Sequence, residues 1–169
     1  MTFMIIRAEP EDWEAHRAIR LRSLREEAHA YAADCQTEAR YQPHLWRQRL
    51  ATAFSYLAFD DDHDLVGTAT GLWTRDGDMH IVGMYVAPVA RGLGCAHQLL
   101  DVIADLAIRR RGKRLVLEVA ESNVRASRCY HSYGFLETGR RRQMDRDPSI
   151  TEIELEYPLP AEQAIRDRR

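Results

Sequence analysis

Between residues 80 and 109 the apolar residues change period, and the residues at that change restrict the fold more than any other segment. Residues 80–86 read as a strand. Pro88 ends it, because proline has no N–H to give to a ladder. Arg91-Gly92-Leu93-Gly94 forms a glycine-rich turn, after which Ala96, Leu99, Leu100, Ile103, Ala104 and Ala107 recur at helical spacing. Arg109, Arg110 and Arg111 then suit the negative end of the helix dipole, and Gly112 suits the C′ position. A strand that runs through glycines into a helix leaves unpaired N–H groups and a positive dipole end at the junction. Glycine also lets a ligand approach the backbone closely. The junction is therefore an anion site suited to phosphate or pyrophosphate, with Arg91 able to add a charge-assisted contact. The competing reading is a purely structural tight turn.

Two common phosphate folds do not fit. A dinucleotide fingerprint needs GxGxxG within a βαβ unit, whereas Gly92 and Gly94 are followed by Cys95, Ala96 and His97. The P-loop pattern GxxxxGK[ST] is missing. The strand before the turn also closes an antiparallel meander rather than opening a parallel sheet. Residues 55–59 and 65–74 read as two strands joined by the Asp-rich turn at 60–62, and Asp76-Gly77 is a hairpin signal leading to the third.

Upstream, residues 3–7 form a short strand, and a moderately amphipathic helix runs from Pro10 to about Glu27. Residues 29–42 read as loop with at most one helical turn, and Pro43 opens a second helix over 44–52. Downstream, a strand at 115–119, a helix from Asn123 closed by Gly134, a strand at 135–138 and an alternating strand at 150–157 complete the order. One domain over residues 1–160 and a polar tail at 161–169 are expected.

Charge and cysteines exclude other classes. The chain of 169 residues has 24 basic and 26 acidic residues, so no global nucleic-acid footprint exists. No apolar stretch is long enough for a membrane span. The N-terminal apolar run meets charge too soon for a signal peptide, which points to the cytoplasm. Cys35, Cys95 and Cys129 have neither metal-ligand nor disulfide spacing and read as free packing thiols, so no metal is expected.

A second segment bears on the junction. Asn123, Ala126 and Tyr130 lie at i, i+3 and i+7, on one helix face. Asn123 can cap that helix or offer its amide to a ligand, and Tyr130 can be core or can present a phenol one turn deeper. Together the two segments resemble the GNAT superfamily of acyl-CoA N-acyltransferases. Arg91, Gly92, Leu93, Gly94, Cys95 and Ala96 match its [QR]xxGx[GA] loop, after the strand end Val86-Ala87-Pro88. Asn123, Ala126, Tyr130, Gly134 and Phe135 match its NxxAxxxYxxxGF pattern. The element order over residues 3–157 fits as well.

The resemblance implies an α/β (α+β) fold. It has a central, mostly antiparallel mixed sheet of six to seven strands, helices on both faces, and a splayed fourth and fifth strand. It implies an acetyl-CoA-dependent N-acetyltransferase acting on a primary amine by direct attack in a ternary complex. A non-catalytic acetyl-CoA-binding or sensing domain, or an enzyme for another acyl-CoA, are the alternatives. Pyrophosphate would rest on the 91–96 amides and pantetheine along Met84, Tyr85 and Val86, with Asn123 and Ala126 beside it. Tyr130 would protonate the leaving thiolate. Family members with a glutamate base carry it on the strand before the loop; the same count places His80 there, with Glu118 on the neighbouring strand as the other candidate. The acceptor pocket would fall at about residues 22–50 and 139–150. There Glu26, Glu27, Asp34 and Glu38 can attract a cation, and Tyr31, Tyr41 and Trp46 can form walls, or all can be ordinary helix surface and core. A monomer or a homodimer is expected.

Overall fold

A computed structural model describes residues 2–160. The elements are β1 (Met4–Arg7), α1 (Trp13–Glu26), α2 (Cys35–Ala39), α3 (Pro43–Thr52), β2 (Phe54–Phe59), β3 (Leu65–Trp73), β4 (Met79–Val86), α4 (Cys95–Arg109), β5 (Arg114–Ala120), α5 (Val124–Tyr133), β6 (Leu136–Gln143) and β7 (Thr151–Pro158). The expected tail at 161–169 lies outside the described residues.

The seven strands form one sheet in the order β1-β2-β3-β4-β5-β7-β6. Every pairing is antiparallel except β4 with β5. That parallel pairing holds only for Met79 with Leu115 and His80 with Val116. Beyond these rungs the strands separate, so the expected splay is present. The Asp76-Gly77 turn joins β3 to β4, with Gly77 at φ +85°, where glycine avoids the Cβ clash of other residues.

Strand alternation assigns the helices to opposite faces. A Cβ on Gly67 would meet Cys95 Sγ and Leu99, and one on Gly71 would meet Met79 and Ile103, so the odd positions of β3 face α4. The core between them holds Ala58, Ala69, Ile81, Leu100, Leu115 and Leu117. Tyr133 of α5 bonds Asp101 of α4, which fixes α5 on this same face. The even positions Thr68, Thr70 and Leu72 line a cavity with residues of α1, α2 and α3 on the other face.

Three boundaries differ from expectation. Residues 28–39 hold a short 3₁₀ turn and the helix α2, capped by Asp34, whose side chain accepts from Thr37 N. β6 continues to Gln143, because Arg141, Arg142 and Gln143 resume pairing with β7 after an irregularity. After α4, Arg111 and not Gly112 takes the left-handed position, with φ +60°. Arg111 N bonds Ile108 O and Gly112 N bonds Ala107 O, so Gly112 sits one position later in the motif. A Cβ on Gly112 would lie 3.1 Å from the Ala107 carbonyl oxygen, which explains a glycine there.

Candidate active site

Where β4 and β5 part, a cleft of about 430 Å³ opens between the two faces of the sheet. Its first wall is the turn into α4. Gly92 and Gly94 have φ of +74° and +90°, values that strain any residue with a Cβ. No atom of the described residues would crowd a Cβ on Gly92, so the backbone angle, not lack of space, dictates glycine there. The backbone bond from Gln98 N to Gly94 O spans the first turn of α4. The amides of Cys95, Ala96 and His97 precede it and have no carbonyl one turn back within the helix.

Arg91 is tied down inside this wall. Its Nε donates to Val86 O at 2.8 Å and its Nη2 to Glu27 Oε1 at 2.8 Å. Arg125 of α5 donates to the same Glu27 oxygen at 2.7 Å. Burial works against the Glu27 charge, but the two guanidiniums hold its carboxyl below the usual range. Glu27 thus joins α1 to the turn and to α5. Cys95 is fully buried against Gly67 and its thiol is pushed up to about 11 by burial, which suits a packing residue and not a nucleophile. Cys129 also lies on the cleft, with its thiol raised by burial.

The second wall is α5. Asn123 caps it: Oδ1 accepts from Ala126 N at 3.2 Å. Asn123, Ala126 and Tyr130 all line the cleft, as their shared stripe requires. Tyr130 is buried, edge-on to Phe135 at 5.7 Å. Burial keeps its phenol protonated well above the ordinary tyrosine range.

Two features shape the floor. Thr68 pairs with Tyr85 and Thr70 with Val82, so Gly83 and Met84 together oppose one residue of β3. This is a β-bulge, with Gly83 at φ +61°. It follows His80, so His80 and Val82 keep one face while the alternation breaks before Val86. Tyr31, reaching in from the 3₁₀ turn, donates its hydroxyl to Met84 O at 2.6 Å.

The other feature joins both base candidates. His80 and Glu118 meet across the last paired rung, Nε2 to Oε2 at 2.5 Å. The imidazole contact holds Glu118 below the usual carboxylate range despite its partial burial. With Glu118 ionised, Nε2 carries the proton and Nδ1 keeps the imidazole lone pair. The pair lies on the α1 face of the sheet and Tyr130 on the α4 face, and all three border the cleft.

Four acidic residues considered as cation attractors are engaged elsewhere. Glu26 bonds Arg22 and Tyr85, Glu27 bonds Arg91 and Arg125, Asp34 caps α2, and Glu38 bonds Arg20 and Arg49. Trp46 is completely buried, a core residue and not a wall, and Tyr41 packs against it at 6.0 Å. Of the three aromatics only Tyr31 borders the cleft. Arg20, Arg125, and the pair of Arg142 with the buried Glu152 also line it; no sequence motif marked them. Among the described residues no group of His, Cys, Asp and Glu is arranged to hold a metal ion, and no helix is long and apolar enough to cross a membrane.

Comparison with known proteins agrees with this architecture. None of the curated protein sequences matches the chain. A solved acetyltransferase from Streptococcus pneumoniae, described as of the GNAT family, is 17% identical with a TM-score of 0.78, over 94% of this chain and all of that one. The Salmonella typhimurium protein yncA, solved with acetyl-CoA, is 18% identical with a TM-score of 0.71 over 95% of each chain. A nourseothricin acetyltransferase is 24% identical with a TM-score of 0.60, and the match covers 64% of this chain and 66% of that one. At these identities the likeness is one of fold. The sequence model of the Acetyltransferase (GNAT) family matches residues 17–135, which span both motifs and every wall of the cleft except β7 and the end of β6. The chain belongs to the GNAT acetyltransferase family.

Proposed function

We propose that the protein is an acetyl-CoA-dependent N-acetyltransferase acting on a primary amine, with donor and acceptor in the cleft together. The observation that carries this reading is the placement of a protonated phenol and an imidazole–carboxylate pair on opposite sides of one opening in the sheet. Acetyl-CoA, when bound, supplies an activated acyl group for direct attack by the amine. The residues fit such a group. The backbone of Arg91, Gly92, Leu93, Gly94, Cys95 and Ala96 would take the pyrophosphate, at a helix start made for anions. The unzipped edge of β4 at Met84, Tyr85 and Val86 would take the pantetheine amides as an added strand would. Asn123, Ala126 and Tyr130 would close the far side.

An amine of pKa about 10.4 is neutral in one molecule in roughly 2,500 at pH 7, a cost of about 4.6 kcal/mol. Nδ1 of His80 accepts that proton, directly or through water, and Glu118 stabilises the imidazolium through Nε2. Tyr130 then donates to the departing thiolate, whose pKa is about 8.5 by analogy with cysteine. No covalent enzyme intermediate is needed, consistent with a buried, protonated Cys95.

Two measurements test this. Thiol release from acetyl-CoA over a panel of primary amines should show amine-dependent turnover; its absence across the panel sinks the transferase reading. Gly94→Asp places a negative charge in the turn and should weaken acetyl-CoA binding at least tenfold, about 1.4 kcal/mol. Unchanged affinity by calorimetry in the folded variant would remove the turn from the donor site.

A further inference from the structure

On the α1 face, next to the cleft, lies a second cavity of about 260 Å³. It shares Arg20, Val82 and Gly83 with the cleft, so the two meet at the bulge of β4. Polar side chains of His16, Arg20, Glu38, Arg49, Ser55 and Thr70 line it. Such a lining under a pair of helices calls for an account, because buried polar groups without partners are costly.

The charges in it do not cancel. Glu38, 4% exposed, takes Arg20 Nε and Nη2 at 3.1 Å each and Arg49 Nη1 at 3.0 Å. One carboxylate therefore faces two guanidiniums, and one positive charge is left over. Arg20 spends Nε and Nη2 on Glu38, while its Nη1 lies 3.6 Å from where a Cβ on Gly83 would stand, at the bulge. Arg49 is held over the rings of Tyr41 and Trp46, at 4.8 and 5.1 Å, so its position is fixed before any ligand arrives. His16 is 7% exposed, and its Nδ1 has no partner among the described residues. Burial and the two arginines keep it neutral, its pKa lowered to about 4. The hydroxyls of Ser55 and Thr70 lie 2.8 Å apart and either can donate, so they adapt to a ligand.

We infer that this cavity is a subsite for an oxyanion on the acceptor, so that the amine substrate also carries a carboxylate or a group like it. The inference rests on the transferase reading and adds the substrate class. A guanidinium fork matches a carboxylate in geometry as well as charge. A cationic tail would meet surplus positive charge, since Glu38 is already saturated. The anion end would sit over Val82, and the amine would reach back along β4 toward His80, two residues away on the same face.

The first test compares acceptors matched in amine basicity: ω-amino acids of three to six carbons, and the same compounds with the carboxylate made an amide. At one or more chain lengths, wild type should favour the carboxylate at least tenfold in kcat/KM. Arg49→Gln should cut that ratio at least tenfold. Arg49→Lys keeps a cation beside Glu38 but loses the fork, so its ratio should fall between the two. A wild-type ratio of one or less at every length, or a ratio unmoved in both variants, overturns the inference. The second test needs no turnover: calorimetric titration with glutarate, with acetyl-CoA affinity as the control for folding. Wild type should bind glutarate and Arg49→Gln should bind it at least tenfold more weakly. No binding to wild type, or equal binding to both, refutes the subsite. If glutarate binds as expected but no amine releases thiol, the transferase reading fails and the anion site stands.

Discussion

Glu118 and His80 were alternatives as long as each was counted along its own strand, and a 2.5 Å contact makes them one unit. The two residues should therefore act together as the proposed base. The acidic limb of kcat/KM should disappear or move in His80→Ala, with a rate loss of roughly 10²–10⁴-fold. Glu118→Gln should also lower the rate, because a neutral amide no longer stabilises the imidazolium as an ionised carboxylate does. A pH–rate profile identical to wild type in both variants would assign the proton transfer to another group. His16 makes a separate prediction about stability. Its folded pKa is lowered to about 4 from 6.5, chiefly by burial and then by Arg20 and Arg49, with Glu38 opposing. Between those values the unfolded chain binds the proton and the native chain does not, so stability is lost as pH falls through 6.5 toward 4. The full effect is on the order of 3 kcal/mol. The lowered carboxylates Glu38 and Glu118 lose their contribution only below their ordinary value of 4.5, so they do not mask this window. Thermal melts from pH 7 to pH 5 should show a smaller loss in His16→Gln than in wild type. Equal losses would mean that His16 is protonated in the native state.

The turn into α4 and the stripe on α5 were legible in the sequence because each is local. Gly92 and Gly94 adopt positive φ, and Asn123, Ala126 and Tyr130 share a face, for reasons held within a few residues. α2 was legible only as a single helical turn somewhere within a loop, because its five residues owe their place to Asp34 capping and to Glu38 sitting between Arg20 and Arg49. The end of β6 was illegible because Arg140, Arg141 and Arg142 carry no apolar alternation; partners on Glu154, Glu121 and Glu152 hold them. The neutralised acidic residues of the acceptor side were illegible because the arginines that hold Glu27 and Glu38, and the Tyr85 hydroxyl on Glu26, lie more than ten residues away in sequence. At the end of α5, Gly134 has φ +118°, and a Cβ there would lie 3.1 Å from the Tyr157 ring. Its N–H bonds His131 O, and Phe135 N bonds Tyr130 O, so the residue closes the helix that carries Tyr130. Gly134→Ala should cost about 1–3 kcal/mol. At about 2–4 °C per kcal/mol, the melting temperature should drop by several degrees. An unchanged melting temperature would show that this end of α5 relaxes freely.

Across the whole molecule, the separation of two strands after two rungs sets everything else in place. It exposes the edge of β4, admits α5 from one face and the His80–Glu118 pair from the other, and leaves Glu27 to tie α1 to both the turn and α5. In the proposed reaction, chemistry occurs across this opening, with Tyr130 as the proton donor on the α4 side. The most direct measurement is steady-state thiol release by Tyr130→Phe at saturating acetyl-CoA and amine, with acetyl-CoA affinity followed by calorimetry. The ring is retained, so affinity should stay within about threefold, less than 1 kcal/mol. The rate should fall roughly 10²–10⁴-fold. A kcat within twofold of wild type, with affinity unchanged, would contradict the account.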